Sequence, residues 1–175
     1  MVIIALISIL VLIGVDRAIK QWALIVLSEV DTIPIIQDVF HLTYVENRGA
    51  AFGIMQDKKW FLLVITSIIA IAAIILLISN KLKSRLAVCS LALIIAGGVG
   101  NLIDRIASGF VVDYFDFRLI NFAVFNFADC CVVVGTILFA IYILFFEGKE
   151  SKGSLKDVQD IVNADNADNN EENNA

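Results

Sequence analysis

The chain has 175 residues, a length suited to one domain. It is 59% hydrophobic and 18% charged, with one proline and a mean hydropathy of +0.87, whereas a soluble domain is about 45–50% apolar, so an ordinary soluble protein is excluded and an integral membrane protein implied. The formal net charge of −5 gathers in residues 151–175, where six acids face two lysines; residues 1–150 are near neutral and carry no basic field for nucleic acid.

In chain order, the first apolar element covers residues 2–27, where MVIIALISILVLIGV continues through DRAIKQ into WALIVL. It lacks the basic start and the small-residue cleavage site of a secretory signal. It reads as a spanning helix that runs past Asp16, with that charge near one membrane face or turned into the bundle. Ser28 to Lys59 follows. Within it FHLTYVE alternates apolar and polar residues, the period of a strand, and NRG reads as a turn. Residues 60–78, 86–106 and 127–146 each supply the roughly 20 apolar residues that a bilayer-spanning helix needs. The expected fold class is therefore an all-α membrane protein of four transmembrane helices with a small sheet on the membrane surface. Residues 1–150 form the membrane domain, and 151–175, which end in NADNADNNEENNA, form a disordered acidic tail.

Orientation follows from the loops. SNKLKSR carries Lys81, Lys83 and Arg85 without an acid, and Lys149, Lys152 and Lys156 follow the fourth span. The positive-inside rule puts both stretches, and both termini, in the cytoplasm. Ser28–Lys59 and Ala107–Asn126 then face outward.

Ionisable residues in spans cost about 2.5–3.5 kcal/mol at a helix centre and are functional candidates by default. Here Asp16, Lys20, Asn101, Asp104, Arg105 and Asp129 all lie towards the outward ends of their spans. In GGVGNLIDR, positions 97, 101, 104, 105 and 108 share one helix face; a packing seam with an Asp104–Arg105 charge pair would explain them without chemistry. Asn126 and Asp129 have the spacing of an N-cap and its capping box, a second explanation without chemistry. Neither explains Asp113 among the apolar and aromatic residues of VVDYF. If Asp113 faced Asp129, two carboxylates in a low-dielectric site would share a proton and could activate water, as in aspartic proteases. Asp116 could take the place of Asp113, or pair locally with Arg118. Cys89, Cys130, Cys131 and the single His41 offer neither a disulfide framework nor zinc spacing, and no cofactor or metal is expected. Polar groups at one depth only argue against a proton pathway. A membrane scaffold predicts that Asp→Asn changes affect stability alone.

VDRAIK, NRGAAFGI, GGVGNLIDR, GFVVDYFDF and FNFAD, in this order, resemble the signature boxes of the lipoprotein signal peptidases, the bacterial membrane aspartyl peptidases also called signal peptidase II. The resemblance covers Val15 to Glu147. It implies four transmembrane helices with an extracytoplasmic sheet in the bacterial cytoplasmic membrane. It also implies cleavage of prolipoproteins just before a diacylglyceryl-modified cysteine. Asp113 and Asp129 match the catalytic pair. Asn47, Asn101, Asp104, Arg105, Asn126, Asp16 and Gly98 match the residues that support it or hold substrate. Partners would be the lipidated substrate and membrane lipids, and nothing demands more than a monomer.

Overall fold

A computed structural model describes residues 1–49, 58–79, 81–82 and 84–147. The expected acidic tail, Lys83, Lys149 and residues 50–54 of the NRGAAFGI box lie outside the described residues. Among the described residues, four helices are long and apolar enough to cross a membrane: α1 (Val2–Val30), α2 (Trp60–Ile78), α3 (Arg85–Ala107) and α4 (Phe127–Phe146). Each is rich in Leu, Ile, Val and Ala and free of proline. Helical order is what such sequences require in lipid, where each backbone N–H and C=O must find a partner within the segment. Their outer faces expose large side chains such as Ile3, Leu10, Trp60 and Ile75, as surfaces covered by lipid do.

The first span reaches Val30 rather than stopping at Leu27, its backbone widening into a π turn over Ala23–Leu27. Asp16 does not interrupt it, because the carboxylate turns inward and is 1% exposed. Helix α3 is the central one, with more of its length buried than the others, and it packs against both α1 and α2. Small residues let α4 come close as well. A Cβ at Gly97 would stand 2.2 Å from the Ala128 carbonyl oxygen, and one at Gly135 would stand 2.8 Å from that of Ser90.

An antiparallel sheet of three strands, in the order β1 (Thr32–Ile36), β2 (Phe40–Asn47), β3 (Val111–Asp116), sits at the end of α1. Ala23 and Leu27 of α1 form a buried cluster with Val112 and Tyr114 of β3. Strand β2 is the one that FHLTYVE announced. Pro34 is accommodated because β1 is an edge strand. Asp113 lies in strand β3, for which the sequence of the Ala107–Asn126 connection gives no period. Four of its first five residues are buried, so it shows no alternation. Gly109, at φ 86°, makes the turn that leads from α3 into it.

The chain divides into two compact units, Met1–Leu138 and Phe139–Ala175. The sheet and the residues described below belong to the first. In the second, the rings of Phe139 and Tyr142 stack with centroids 6.1 Å apart.

Candidate active site

Asp113 is central in β3 and Asp129 lies in the first turn of α4, sixteen residues later. The segment between them is tied back on itself. Phe125 exchanges backbone hydrogen bonds with Phe115 (2.8 and 3.1 Å), and the rings of Phe117 and Phe125 stack at 5.8 Å. This fold-back delivers Asn126 to Asp113.

Asn126 then holds both carboxylates. Its Nδ2 donates to Asp113 Oδ1 at 2.5 Å, and its backbone N–H donates to Asp129 Oδ2 at 3.1 Å. In return the Asp129 N–H donates to Asn126 Oδ1 at 3.0 Å. The last two bonds are the reciprocal pair of a capping box. Asp129 is thus both a helix-start carboxylate and half of a carboxylate pair, and the two readings of it do not compete. The remaining oxygens are also engaged. Asn47 Nδ2 donates to Asp113 Oδ2 at 2.8 Å, and Asn101 Nδ2 donates to Asp129 Oδ1 at 2.7 Å.

Asp113 is 1% exposed. Burial, reinforced by the nearby Asp129 charge, pushes its carboxyl up to about 7, although the bonds from Asn47 and Asn126 oppose the rise. Asp116, three positions along the same strand, points to the opposite face. It accepts from Thr43 Oγ1 at 2.7 Å and pairs with Arg118 Nε at 2.9 Å. Burial raises its pKa, but the bonds from Arg118 and Thr43 outweigh that and leave it below the ordinary carboxylate value. The local Asp116–Arg118 pair is therefore present, and Asp116 takes no part in the pairing with Asp129.

The other expected site residues fall into two groups. Asn47, Asn101 and Arg105 line, with both carboxylates, a cleft of about 690 Å³. Its apolar wall includes Val132, Val133 and Val134 of α4 and Phe122–Phe125. The Arg105 guanidinium donates to the Gly49 carbonyl at 3.2 Å, and Asn47 Oδ1 accepts the Gly49 N–H at 2.9 Å, so both hold the chain that leaves β2.

Asp16 and Asp104 are not in contact with the pair. The expected Asp104–Arg105 ion pair is replaced: Asp104 binds Arg17 and, at 2.7 Å, the ammonium of Lys20. Adjacent positions on a helix point about 100° apart, so Arg105 turns to the cleft while Asp104 faces α1. Lys20 also binds Asp16 at 2.9 Å and donates to Asn101 Oδ1 at 2.8 Å. Gly98 faces α2, where a Cβ would meet only Thr66 Cγ2 at 3.9 Å. Within GGVGNLIDR, Gly97 and Gly100 are the positions with no spare room: at Gly100 a Cβ would stand 2.7 Å from Asp16 Oδ2.

The sequence marks Lys20 as an ionisable residue at the outward end of its span but gives it no partner beyond the spacing from Asp16, and it does not single out Arg17. The signal was present in VDRAIK, because a lysine four residues after an aspartate in an apolar helix shares its face and needs an acidic partner.

The chain was compared with known proteins. The family model described as signal peptidase (SPase) II matches residues 8–145. The chain is 51% identical over 144 residues to the lipoprotein signal peptidase of Clostridioides difficile, covering 81% of this chain and 95% of that protein. It is 45% identical over 148 residues to that of Streptococcus thermophilus, covering 85% and 94%. Among solved structures, a bacterial membrane enzyme determined by the in meso method at 1.9 Å resolution superposes with a TM-score of 0.72. That pair is 30% identical, covering 81% of this chain and 93% of the other.

Proposed function

Since this chain belongs to the signal peptidase II family, an aspartic-type peptidase family that removes signal peptides from prolipoproteins, we propose that Asp113 and Asp129 are its catalytic pair. They would cut just before a diacylglyceryl-modified cysteine. The observation that carries this reading is the bridging of both carboxylates by Asn126, with one N–H to each.

Asp113 is the member that carries the proton in the reactive form, as its elevated pKa favours. Asp129, an acceptor on both oxygens, takes a proton from a water molecule. The resulting hydroxide adds to the scissile carbonyl carbon while Asp113 protonates the carbonyl oxygen. Proton transfer to the amide nitrogen and rupture of the C–N bond then release the signal peptide as a carboxylic acid and the lipidated cysteine as a free amine. No acyl-enzyme forms. Asp16, Asn47, Asn101, Asp104, Arg105 and Asn126 support the pair or the backbone around it, and Gly98 faces Thr66 of α2, a residue that lines the cleft.

The substrate is a membrane helix, and the valine wall that runs from Asp129 along α4 suits its apolar segment. The pair sits where the spans meet the sheet, and the basic loop SNKLKSR at the other end of α2 and α3 supports a scissile bond at the extracytoplasmic face of the bacterial cytoplasmic membrane. Both termini are cytoplasmic, and the enzyme works as a monomer.

The test is cleavage of a diacylglyceryl-cysteine prolipoprotein by the purified chain, with Asp113→Asn and Asp129→Asn in parallel. Loss of one acid–base group typically costs on the order of 10²–10⁴-fold in rate, and each variant should lose at least that while remaining inserted. Near-normal cleavage by either variant excludes the pair. An unlipidated substrate should be cut poorly.

A further inference from the structure

The cleft residues use Asn101 as a hydrogen-bond donor, yet an amide can present either its NH₂ or its oxygen to a neighbour. What decides the matter lies behind it. Lys20 is 2% exposed, and its ammonium has three protons to donate and nothing with which to accept. Its three partners are Asp16 Oδ2 at 2.9 Å, Asp104 Oδ2 at 2.7 Å and Asn101 Oδ1 at 2.8 Å. A flipped Asn101 would set NH₂ against NH₃⁺ and its oxygen against the Asp129 carboxylate, with both hydrogen bonds lost. The other donor to Asn101 Oδ1 is Asn126 Nδ2 at 3.3 Å, and that group already donates to Asp113 at 2.5 Å.

We propose that Lys20 is a positioning residue for the peptidase reaction, its ammonium fixing the Asn101 amide so that Nδ2–H is aimed at Asp129. Asp16 and Asp104 hold the ammonium from α1 and α3, which gives these two acids a role without contact with the carboxylate pair. The proposal rests on the reading of Asp113 and Asp129 as the catalytic pair. It adds that the orientation of one of them is set from inside the bundle. Lys20 does not line the cleft, so its removal should alter turnover and not substrate binding.

The experiment is a double-mutant cycle with the full chain in detergent and a lipidated prolipoprotein, with kcat and KM measured for Lys20→Met, Asn101→Ala and the double variant. At metal centres, loss of an outer partner that orients a ligand typically costs about 10–100-fold, and by the same logic Lys20→Met should lower kcat by about 10–100-fold with KM unchanged. In the Asn101→Ala background the same change should cost no more than about twofold, the scatter of independent substitutions. Unchanged kcat in Lys20→Met, or an equal loss in both backgrounds, overturns the proposal, since a purely structural lysine acts independently of Asn101. If Lys20→Met does not fold, Lys20→Met with Asp16→Asn removes the uncompensated charge while Asp104 keeps Arg17, and the cycle is run on that pair. Should that variant not fold either, Lys20 serves helix assembly alone and the proposal fails. Asp113→Asn separates the two readings. If it is active, the catalytic pair is wrong; if it is dead while Lys20→Met turns over normally, only the lysine's role is wrong.

Discussion

Asp113 accepts a hydrogen bond on each oxygen and still titrates near 7, because burial and the Asp129 charge outweigh both bonds. Its acid form is therefore populated below about 7 and lost as pH rises through that value. If it donates the proton to the scissile carbonyl, kcat declines on the alkaline side of that point. Asn47 stabilises the charged form, so Asn47→Ala should move the alkaline limb of the kcat–pH profile to higher pH; a limb that stays or moves down contradicts the assignment. Linkage gives the matching statement for stability. A carboxyl whose folded pKa is raised destabilises the fold above that pKa, and the penalty disappears as pH falls towards the unfolded value of about 3.9. Asp113→Asn should accordingly melt higher than the parent at pH 8–9, with the gap narrowing below pH 7 and closing only towards pH 4. Both aspartates could be read in the sequence as charges out of place, but spacing left Asp113 and Asp116 open as the partner of Asp129, and only the family resemblance favoured Asp113. Sixteen residues separate them, and the link is made by the Phe115–Phe125 backbone bonds and the Asn126 side chain, which no spacing rule encodes.

Among the elements, α3 and α4 are pressed together where a missing side chain matters. Gly97→Ala would bring a Cβ into the Ala128 carbonyl, one residue before Asp129. Overpacking of this kind typically costs about 1–3 kcal/mol, and the displacement also moves the carboxylate, so thermal stability and kcat should fall together. Gly14 has nothing within 4 Å of its would-be Cβ. Gly14→Ala should leave cleavage intact and stabilise α1 by up to about 1 kcal/mol, the helix-propensity difference. A melting scan of the two variants checks the contrast. The four helices were legible because twenty apolar residues in a row have few other fates, and β2 because apolar and polar residues alternate along FHLTYVE. Strands β1 and β3 were not. Pro34 argues against a strand unless the edge is known, and VVDYF, enclosed on both faces, has no period to detect. The Asp104–Arg105 pair failed for a related reason: helix neighbours diverge, and the cation that Asp104 needed came from a different span.

For the molecule as a whole, the proposed orientation puts Leu119 and the sheet outside and Ser84 inside the cell. In a background with the native cysteines replaced, Leu119→Cys should react with a membrane-impermeant maleimide on intact cells, and Ser84→Cys only after permeabilisation. The reverse pattern inverts the topology. The two members of the carboxylate pair are mounted on different supports: Asp129 on the first turn of a spanning helix, Asp113 on a strand of the surface sheet. How far a spanning helix rises from the bilayer, and how it tilts, depend on the match between its apolar length and the hydrocarbon thickness. The spacing between the carboxylates is thus a gauge of that match. Turnover should therefore be highest where lipid and helix agree and decline in bilayers that are too thin or too thick, which cleavage assays in vesicles of graded acyl-chain length would measure.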